Sequence, residues 1–313
     1  MLNIESASYY VPDRYIDLEK ISYFDAISKN EMRVFTRLYG LKRIPVAEHL
    51  SLKALLSQSL DSLLNKVLIN LAEIKLIIYA HTSKIVTPFA CSIINEIKND
   101  YGLHHALAFA TTINNCASTL TAFEMAEALL TTMAPNAKAI IITGERMFTA
   151  SQKVIPKISI LGDASAAVLV SKRKGLHTLK SMVIKTDGAS ANGIWMTEEQ
   201  NKQYEKDYAM IFSQVIHEAL HQSNITLDKI RYILPHNVNL PSWKNVAKVL
   251  NISIDKIYLE NIPHYSHCFG ADIIINYVDV LSKKLIQPGD YYMMATVGLG
   301  SIYAAAVFQY ENK

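Results

Sequence analysis

The sequence predicts an α/β fold built from two related halves packed face to face. Three observations carry this. Short β-branched runs alternate with longer segments of helical periodicity along the chain. One unit occurs twice: a cysteine, a helix, a strand with a small-residue exit, then an alanine-rich strand opened by Gly and small polar residues. No Pro/Gly/Ser linker and no low-complexity segment divides the 313 residues, so one domain of duplicated halves fits better than two independent domains. The halves divide as 1–172, carrying Cys116, and 173–313, carrying His236 and His267.

The elements follow from the pattern. Residues 50–68 place Leu52, Leu55, Leu56, Leu60, Leu63, Leu64 and Val67 on one helical face. Residues 75–80 read as a buried strand, 91–102 as a helix ending near Gly102, and 105–110 as a buried strand. Leu120, Phe123, Ala126, Leu129, Leu130 and Met133 then recur at helical spacing. Strands are expected at 137–145 and 162–170. In the second half, helices are expected at 208–222, 245–250 and 273–285, and strands at 232–234, 290–298 and 300–309.

Composition bounds the function. Half the residues are hydrophobic and 19% are charged, a globular balance. A net charge of +3 with no dense basic run gives no nucleic-acid footprint. The three cysteines, Cys91, Cys116 and Cys268, are odd in number and widely spaced, so neither a disulfide framework nor a metal site is expected, and the reading is cytoplasmic. The opening residues carry no apolar core of a secretory signal, and no stretch reaches the length of a membrane span.

Three segments carry candidate chemistry. Cys116 lies in TTINNCASTL, where a strand gives way to a helix. The first turn of a helix presents free N–H groups and a positive dipole end, which favour an anion and so a more nucleophilic sulfur. The N–H of Cys116 itself can serve an oxyanion. Cysteine is also among the most buried residue types, and on this segment alone a packed core thiol fits as well. His236 follows a short apolar strand in LPHNVN, placed as an acid, base or hydrogen-bond donor, or as a surface-loop histidine. His267, in HYSHCFGAD, precedes a helix, where it is a third member of a site or a capping residue.

Taken together, these segments resemble β-ketoacyl-acyl-carrier-protein synthase III and its relatives in the thiolase superfamily, nearly end to end. TRLYGLKRI resembles the family's early T-R-x-G-I-x-x-R segment with one extra residue, and INNCAS its nucleophile motif. LGDASAAVLV resembles F-G-D-G-A-G-A-A-V-L, LPHNVN resembles P-H-Q-A-N, YSHCFGAD resembles H-G-N-T-S-A-A-S, and GLGSIYAAAVF resembles the closing G-G-G-F-x-x-G-S-A strand. The resemblance implies a thiolase-like fold, its two pseudo-symmetric halves forming a layered αβαβα architecture. It implies that Cys116 accepts an acyl group as a thioester and that His236 stabilises the enolate formed on decarboxylation. Asn239 is then expected near a pantetheine arm, and Phe89 on a loop reaching across a dimer interface towards the partner's acyl pocket. Phe269, beside His267, is a candidate substrate contact.

The departures are informative. His267 stands where the type III enzymes carry asparagine, so Cys116, His236 and His267 resemble the two-histidine triad of the elongating ketosynthases on a type III frame. Met32, Ala150 and Pro241 fall where the family often grips coenzyme A with a tryptophan and two arginines. Lys244 and Lys248 share a helical face, where the family docks an acidic carrier protein; a solvated lysine pair is the plainer meaning. Cys91 is expected to pack and Asp163 to hold a turn, while Cys268, beside His267, is a candidate lining residue with no catalytic role. The expectation is an acyltransferase of ketosynthase III type that condenses an acyl group on Cys116 with a malonyl-type or β-ketoacyl thioester. Two rivals are a non-decarboxylating acyltransferase to an amine or hydroxyl, and a partner subunit of a heteromeric ketosynthase. No permanently bound cofactor and no metal are expected. Substrates would be coenzyme A or phosphopantetheine thioesters, the latter on an acyl carrier protein. The assembly would be a homodimer, or a heterodimer with a related chain.

Overall fold

The computed structural model describes residues 1–20, 27–88, 90–147, 149 and 151–312. Its main sheet has nine strands. In chain order they are β1 (Asn3–Tyr10), β2 (Ile74–Ala80), β3 (Leu107–Thr111), β4 (Lys138–Glu145), β5 (Ala164–Ser171), β6 (His177–Thr186), β7 (Ile230–Pro235), β8 (Tyr291–Gly298) and β9 (Ile302–Tyr310). The spatial order is β7-β8-β9-β6-β1-β5-β4-β2-β3. Two runs of one topology meet at the β1/β6 seam, which is held by the pairs Asn3↔Thr178 and Ile4↔His177. In the first run β1, β5 and β4 are antiparallel neighbours and β4, β2 and β3 are parallel. In the second, β6, β9 and β8 are antiparallel and β8 and β7 parallel. A parallel bridge from Ile233 to Ile257 stands where the first run has β3.

Side-chain alternation sorts the core into layers. The inner helices are α3 (Ser118–Thr131) and α6 (Asp272–Ser282). Ile78 and Ala80 of β2 and Tyr292 and Met294 of β8 pack in one cluster with Phe123 and Ala126 of α3 and Ile274 and Ile275 of α6. The alternate residues face outward: Ile77 and Tyr79 against α1 (Leu52–Lys66) and α2 (Ile93–Asp100), and Met293 and Ala295 against α4 (Glu198–Ser223) and α5 (Leu240–Leu250). Helix, sheet, helix, sheet and helix are therefore stacked in that order. The leucine face of α1 is buried as its spacing predicts, and Ser51 caps its start by accepting from Ala54 N.

Some elements differ from the sequence reading. β1 and β6 are strands that the periodicity did not single out; β1, NIESASYY, has polar side chains along much of its length. Helix α4 begins at Glu198, ten residues before its apolar stripe, behind a capping box of Thr197 and Gln200. Helix α5 begins at Leu240, nucleated by its Asn239 cap and Pro241. β3 is not a buried strand: it is the sheet edge, with Leu107 49% exposed. Among the described residues no helix is long and apolar enough to cross a membrane.

The two halves are locked by aromatic contacts through the inner layer. Phe123 of α3 meets Phe308 of β9 edge-on, centroids 6.0 Å apart, and Phe308 stacks on Tyr292 at 5.4 Å. Phe123 is fully buried, so Phe123→Ala leaves a cavity across the junction of the halves. The expected loss is about 3–5 kcal/mol, read as a lower urea midpoint with an unchanged slope.

Candidate active site

Cys116 sits where β3 turns into α3. Asn115, at φ +50°, reverses the chain and opens a 3-10 turn, Asn115–Ala117, that runs into the helix. The turn is pinned from both sides. Asn114 N donates to Ser118 Oγ at 3.2 Å, and Asn114 Nδ2 donates to Thr121 Oγ1 at 2.8 Å. Asn115 Nδ2 donates to the carbonyl of Leu299, beyond β8. Gly298 permits this approach: a Cβ there would lie 2.1 Å from the Asn114 carbonyl oxygen. The sulfur is thus presented by the first turn of an inner helix, against the exit of β8 from the other half.

His267 Nε2 lies 3.3 Å from Cys116 Sγ, and its Nδ1 lies 2.5 Å from Asp272 Oδ2. The loop bearing His267 is fastened by His267 N donating to Ile160 O and Gly162 N donating to His267 O. Asp272 opens α6 and is fully buried. It also accepts from Cys268 N at 2.7 Å and from Asn237 N at 2.6 Å and Nδ2 at 3.4 Å. These donors offset the cost of burying its charge. The carboxylate orients the imidazole, so that Nε2 faces the sulfur and can take its proton. Burial pushes His267 down, but Asp272 and Cys116 outweigh it and hold the ring well above the ordinary 6.5, at about 10.

His236 is not a surface-loop residue. It is 3% exposed, its N donates to Ala295 O, and its carbonyl accepts from Trp243 Nε1 at 2.9 Å. Its ring lies 5.9 Å from that of His267. Burial, and then the charge of His267, hold it well below the ordinary histidine range, so it stays neutral. The site therefore pairs a neutral imidazole with one biased to carry a proton.

Besides Asp272, two further residues that the sequence reading did not assign, Thr82 and Glu145, complete the surroundings. Thr82 Oγ1 donates to Cys116 Sγ at 3.5 Å. The fully buried Glu145, at the end of β4, accepts from Thr82 N and, at 2.9 Å, from Ser83 N, fixing that loop. An acid closing an apolar strand, and an aspartate five residues after His267, were the available signals for Glu145 and Asp272.

Cys116, His236 and His267 line one cavity of about 290 Å³. Asn239 also lines it, but its side chain is engaged: Oδ1 accepts from Ser242 N as the cap of α5, and Nδ2 donates to Ile158 O. Phe269 is not on the cavity wall; it packs behind His267 with Met147, Leu161 and Ile155. Cys268 is buried away from the wall as well. Phe89 and Ala150 lie outside the described residues. Lys244 and Lys248 are exposed on α5. Among the described residues no group of three His, Cys, Asp or Glu side chains is placed to hold a metal.

A layered fold of paired halves, with a cysteine at an inner-helix start and histidines from the other half, is the arrangement that the resemblance to the thiolase superfamily implies. Residues 220–310 match the family model described as 3-Oxoacyl-[acyl-carrier-protein (ACP)] synthase III C terminal. The chain is 34% identical over 113 residues to the β-ketoacyl-[acyl-carrier-protein] synthase III of Clostridium tetani, covering 36% of this chain and about a third of that protein (34%). It is 27% identical over 288 residues to the protein of the same name from Acholeplasma laidlawii, covering 87% of each. Among solved structures, ChlB3, described as an acyltransferase, superposes with a TM-score of 0.88 at 15% identity, covering 99% of this chain and 98% of that one. The synthase III of Thermus thermophilus gives 0.81 at 21% identity, over 99% and 100%. The chain is β-ketoacyl-acyl-carrier-protein synthase III-like along nearly its whole length.

The buried His267–Asp272 pair sets a pH dependence. The folded-state value of His267 lies above its unfolded value. Its contribution to stability is therefore fully present below about pH 6.5 and is lost as pH rises through about 10. In Asp272→Asn, burial acts on the ring with less opposition. The imidazole is then expected to titrate far lower by NMR, and stability to lose this alkaline slope in urea unfolding between pH 6.5 and 10.

Proposed function

We propose that the protein is a condensing acyltransferase whose acyl group is carried on Cys116. The observation that supports this most directly is the chain Cys116–His267–Asp272, with the sulfur 3.3 Å from an imidazole that a buried carboxylate holds in place. In the first step Sγ, its proton already held by His267 Nε2, attacks the carbonyl carbon of an acyl thioester. The oxyanion falls to the N–H of Cys116 itself, because the N–H groups of Asn115, Ala117 and Ser118 already donate to Thr112 O, Asn114 O and Asn115 O. The donor C–S bond then breaks and the departing thiol takes the proton. In the second step a malonyl-type thioester loses carbon dioxide, and its enolate carbon attacks the acyl carbon. A C–C bond forms, the Cys116 thioester breaks, and the sulfur leaves as thiolate. His236 is suited to donate a hydrogen bond to the enolate oxygen, because a neutral imidazole keeps one N–H at neutral pH.

The donor is a coenzyme A or carrier-protein thioester. The mouth of the cavity bears one basic residue, Lys157, against one acidic residue, Glu205, while Lys244 and Lys248 lie exposed on the adjoining α5. This distribution favours an acidic carrier protein docking on α5 over a nucleotide gripped at the mouth. A second reading, acyl transfer to an amine or hydroxyl, is supported by the same His267–Asp272 pair, which can take a proton from such an acceptor as well as from sulfur.

The test is intact mass after incubation with acyl-coenzyme A and acyl-carrier thioesters, with Cys116→Ala as control. A stable adduct on the native chain alone is expected. Carbon dioxide release on adding a malonyl thioester supports condensation, and consumption of an amine or alcohol without it supports the second reading. No adduct from any donor, with both proteins folded, overturns the proposal in favour of a non-catalytic partner subunit.

The assembly we propose is a homodimer through β3. This edge leaves backbone groups unpaired, and apolar side chains lie exposed along it and on flanking loops: Leu107 at 49%, Ile113 at 67% and Ile85 at 80%. Leu107→Asp is expected to halve the mass measured by light scattering at micromolar concentration. A native chain that runs as a monomer overturns the assignment.

A further inference from the structure

The cavity wall on the side of α4 is built from tyrosine. Tyr204 and Tyr208 stand one turn apart, their rings meeting edge-on at 5.6 Å, and Tyr208 continues the ladder to Phe212 at 6.0 Å and to Tyr303 at 6.0 Å. Phe212 is itself fixed against Trp243, 5.4 Å away. The ladder is anchored in the core between α4, α5 and β9, so the Tyr204 ring is held rather than free to swing out. Tyr204 lines the cavity together with Cys116 and His267. Its hydroxyl has no hydrogen-bond partner among the described residues, in contrast to Tyr39 at the mouth, whose hydroxyl already donates to Lys157 O at 2.8 Å. Burial first, then Tyr303 and Cys116, push the Tyr204 phenol well above its ordinary 10, so it keeps its proton as a hydrogen-bond donor.

Once a ligand fills the cavity and displaces its water, this hydroxyl is a cost unless the ligand supplies an acceptor. The thioester carbonyl oxygen is provided for by the N–H of Cys116. We propose that Tyr204 is a specificity-determining residue: its hydroxyl donates to a second oxygen on the acyl unit, beyond the reacting carbonyl. The site thereby selects oxygenated acyl groups, of 3-oxo or 3-hydroxy type, over plain alkyl ones. This rests on the reading that Cys116 is the acylated residue. A site built to hydrogen-bond a substrate group discriminates strongly against the analogue that lacks it, because its own polar group is then stranded.

The experiment measures the rate of Cys116 acylation by intact mass, using acetoacetyl, 3-hydroxybutyryl and butyryl thioesters of N-acetylcysteamine. In each case the Cys116 Sγ–acyl bond forms, the donor C–S bond breaks, and N-acetylcysteamine leaves with the proton. The native chain is expected to load the two oxygenated groups faster than butyryl. Tyr204→Phe is expected to shrink that ratio by about tenfold, the worth of roughly one hydrogen bond, as the oxygenated groups lose their donor and butyryl no longer strands a hydroxyl. An equal preference in the native chain and Tyr204→Phe overturns the proposal. So does a native chain that loads butyryl as fast as acetoacetyl, which keeps the test decisive should the variant fold poorly. Absence of any loading would instead strike the acyl-enzyme reading beneath it.

Discussion

Everything at the centre of this molecule depends on how closely two inner helices approach. Helices α3 and α6 lie between the halves of the sheet with their first turns together, and the contact is made where a side chain is missing. A Cβ on Gly270 would fall 2.4 Å from Thr119 Oγ1 and 2.8 Å from Thr143 Oγ1. Thr119 Oγ1 uses that space to donate to the Gly270 carbonyl at 3.0 Å. With the helices this close, Cys116 at one start and His267 and Asp272 at the other fall within hydrogen-bond reach. Separating them by even one methyl group would lengthen the 3.3 Å contact from sulfur to imidazole beyond use.

That approach also decides the electrostatics. Burying an aspartate is costly, and here the cost is offset by four donors, two of them from Asn237, the residue after His236. The same carboxylate is thus tied to both histidine segments. It sets His267 directly and fixes the chain that carries His236. The consequence is a division of labour between two imidazoles whose rings are 5.9 Å apart. One is biased to hold a proton by the charge between α6 and β7, and the other is biased to stay neutral chiefly by its burial.

What the sequence showed and what it hid divide along a physical line. Cys116, His236 and His267 were legible because each sits at a local junction of strand or loop with helix, and junctions announce themselves through small and polar residues beside apolar runs. Asp272, Glu145, Thr82 and Tyr204 act through tertiary contacts, and their neighbours in sequence say nothing of these. Glu145 lies 63 residues from the Thr82 it holds. β1 and β6 escaped because a strand shared between two runs need not be apolar, and the start of α4 because its first ten residues are polar and held by a cap. The edge position of β3 was hidden for a related reason: LAFAT reads as apolar, but which strand ends a sheet is a property of the topology.

The two halves share a topology, yet only one of them places a thiol on the cavity wall, and the backbone shows where they diverged. Each inner helix is entered through a 3-10 turn whose first residue has positive φ, Asn115 at +50° and Phe269 at +55°. Asparagine tolerates that conformation; phenylalanine does so at a cost on the order of 1–3 kcal/mol, and Phe269 is held there by packing against Met147 and Leu161. The next residue is Cys116 in the first half and Gly270 in the second. A side chain at Gly270 would collide with Thr119, so the second half can offer no nucleophile at this point without driving the helices apart. It contributes the histidines and the carboxylate instead. The close packing that brings the helix starts together is what limits the pair to one sulfur at this point of the turn.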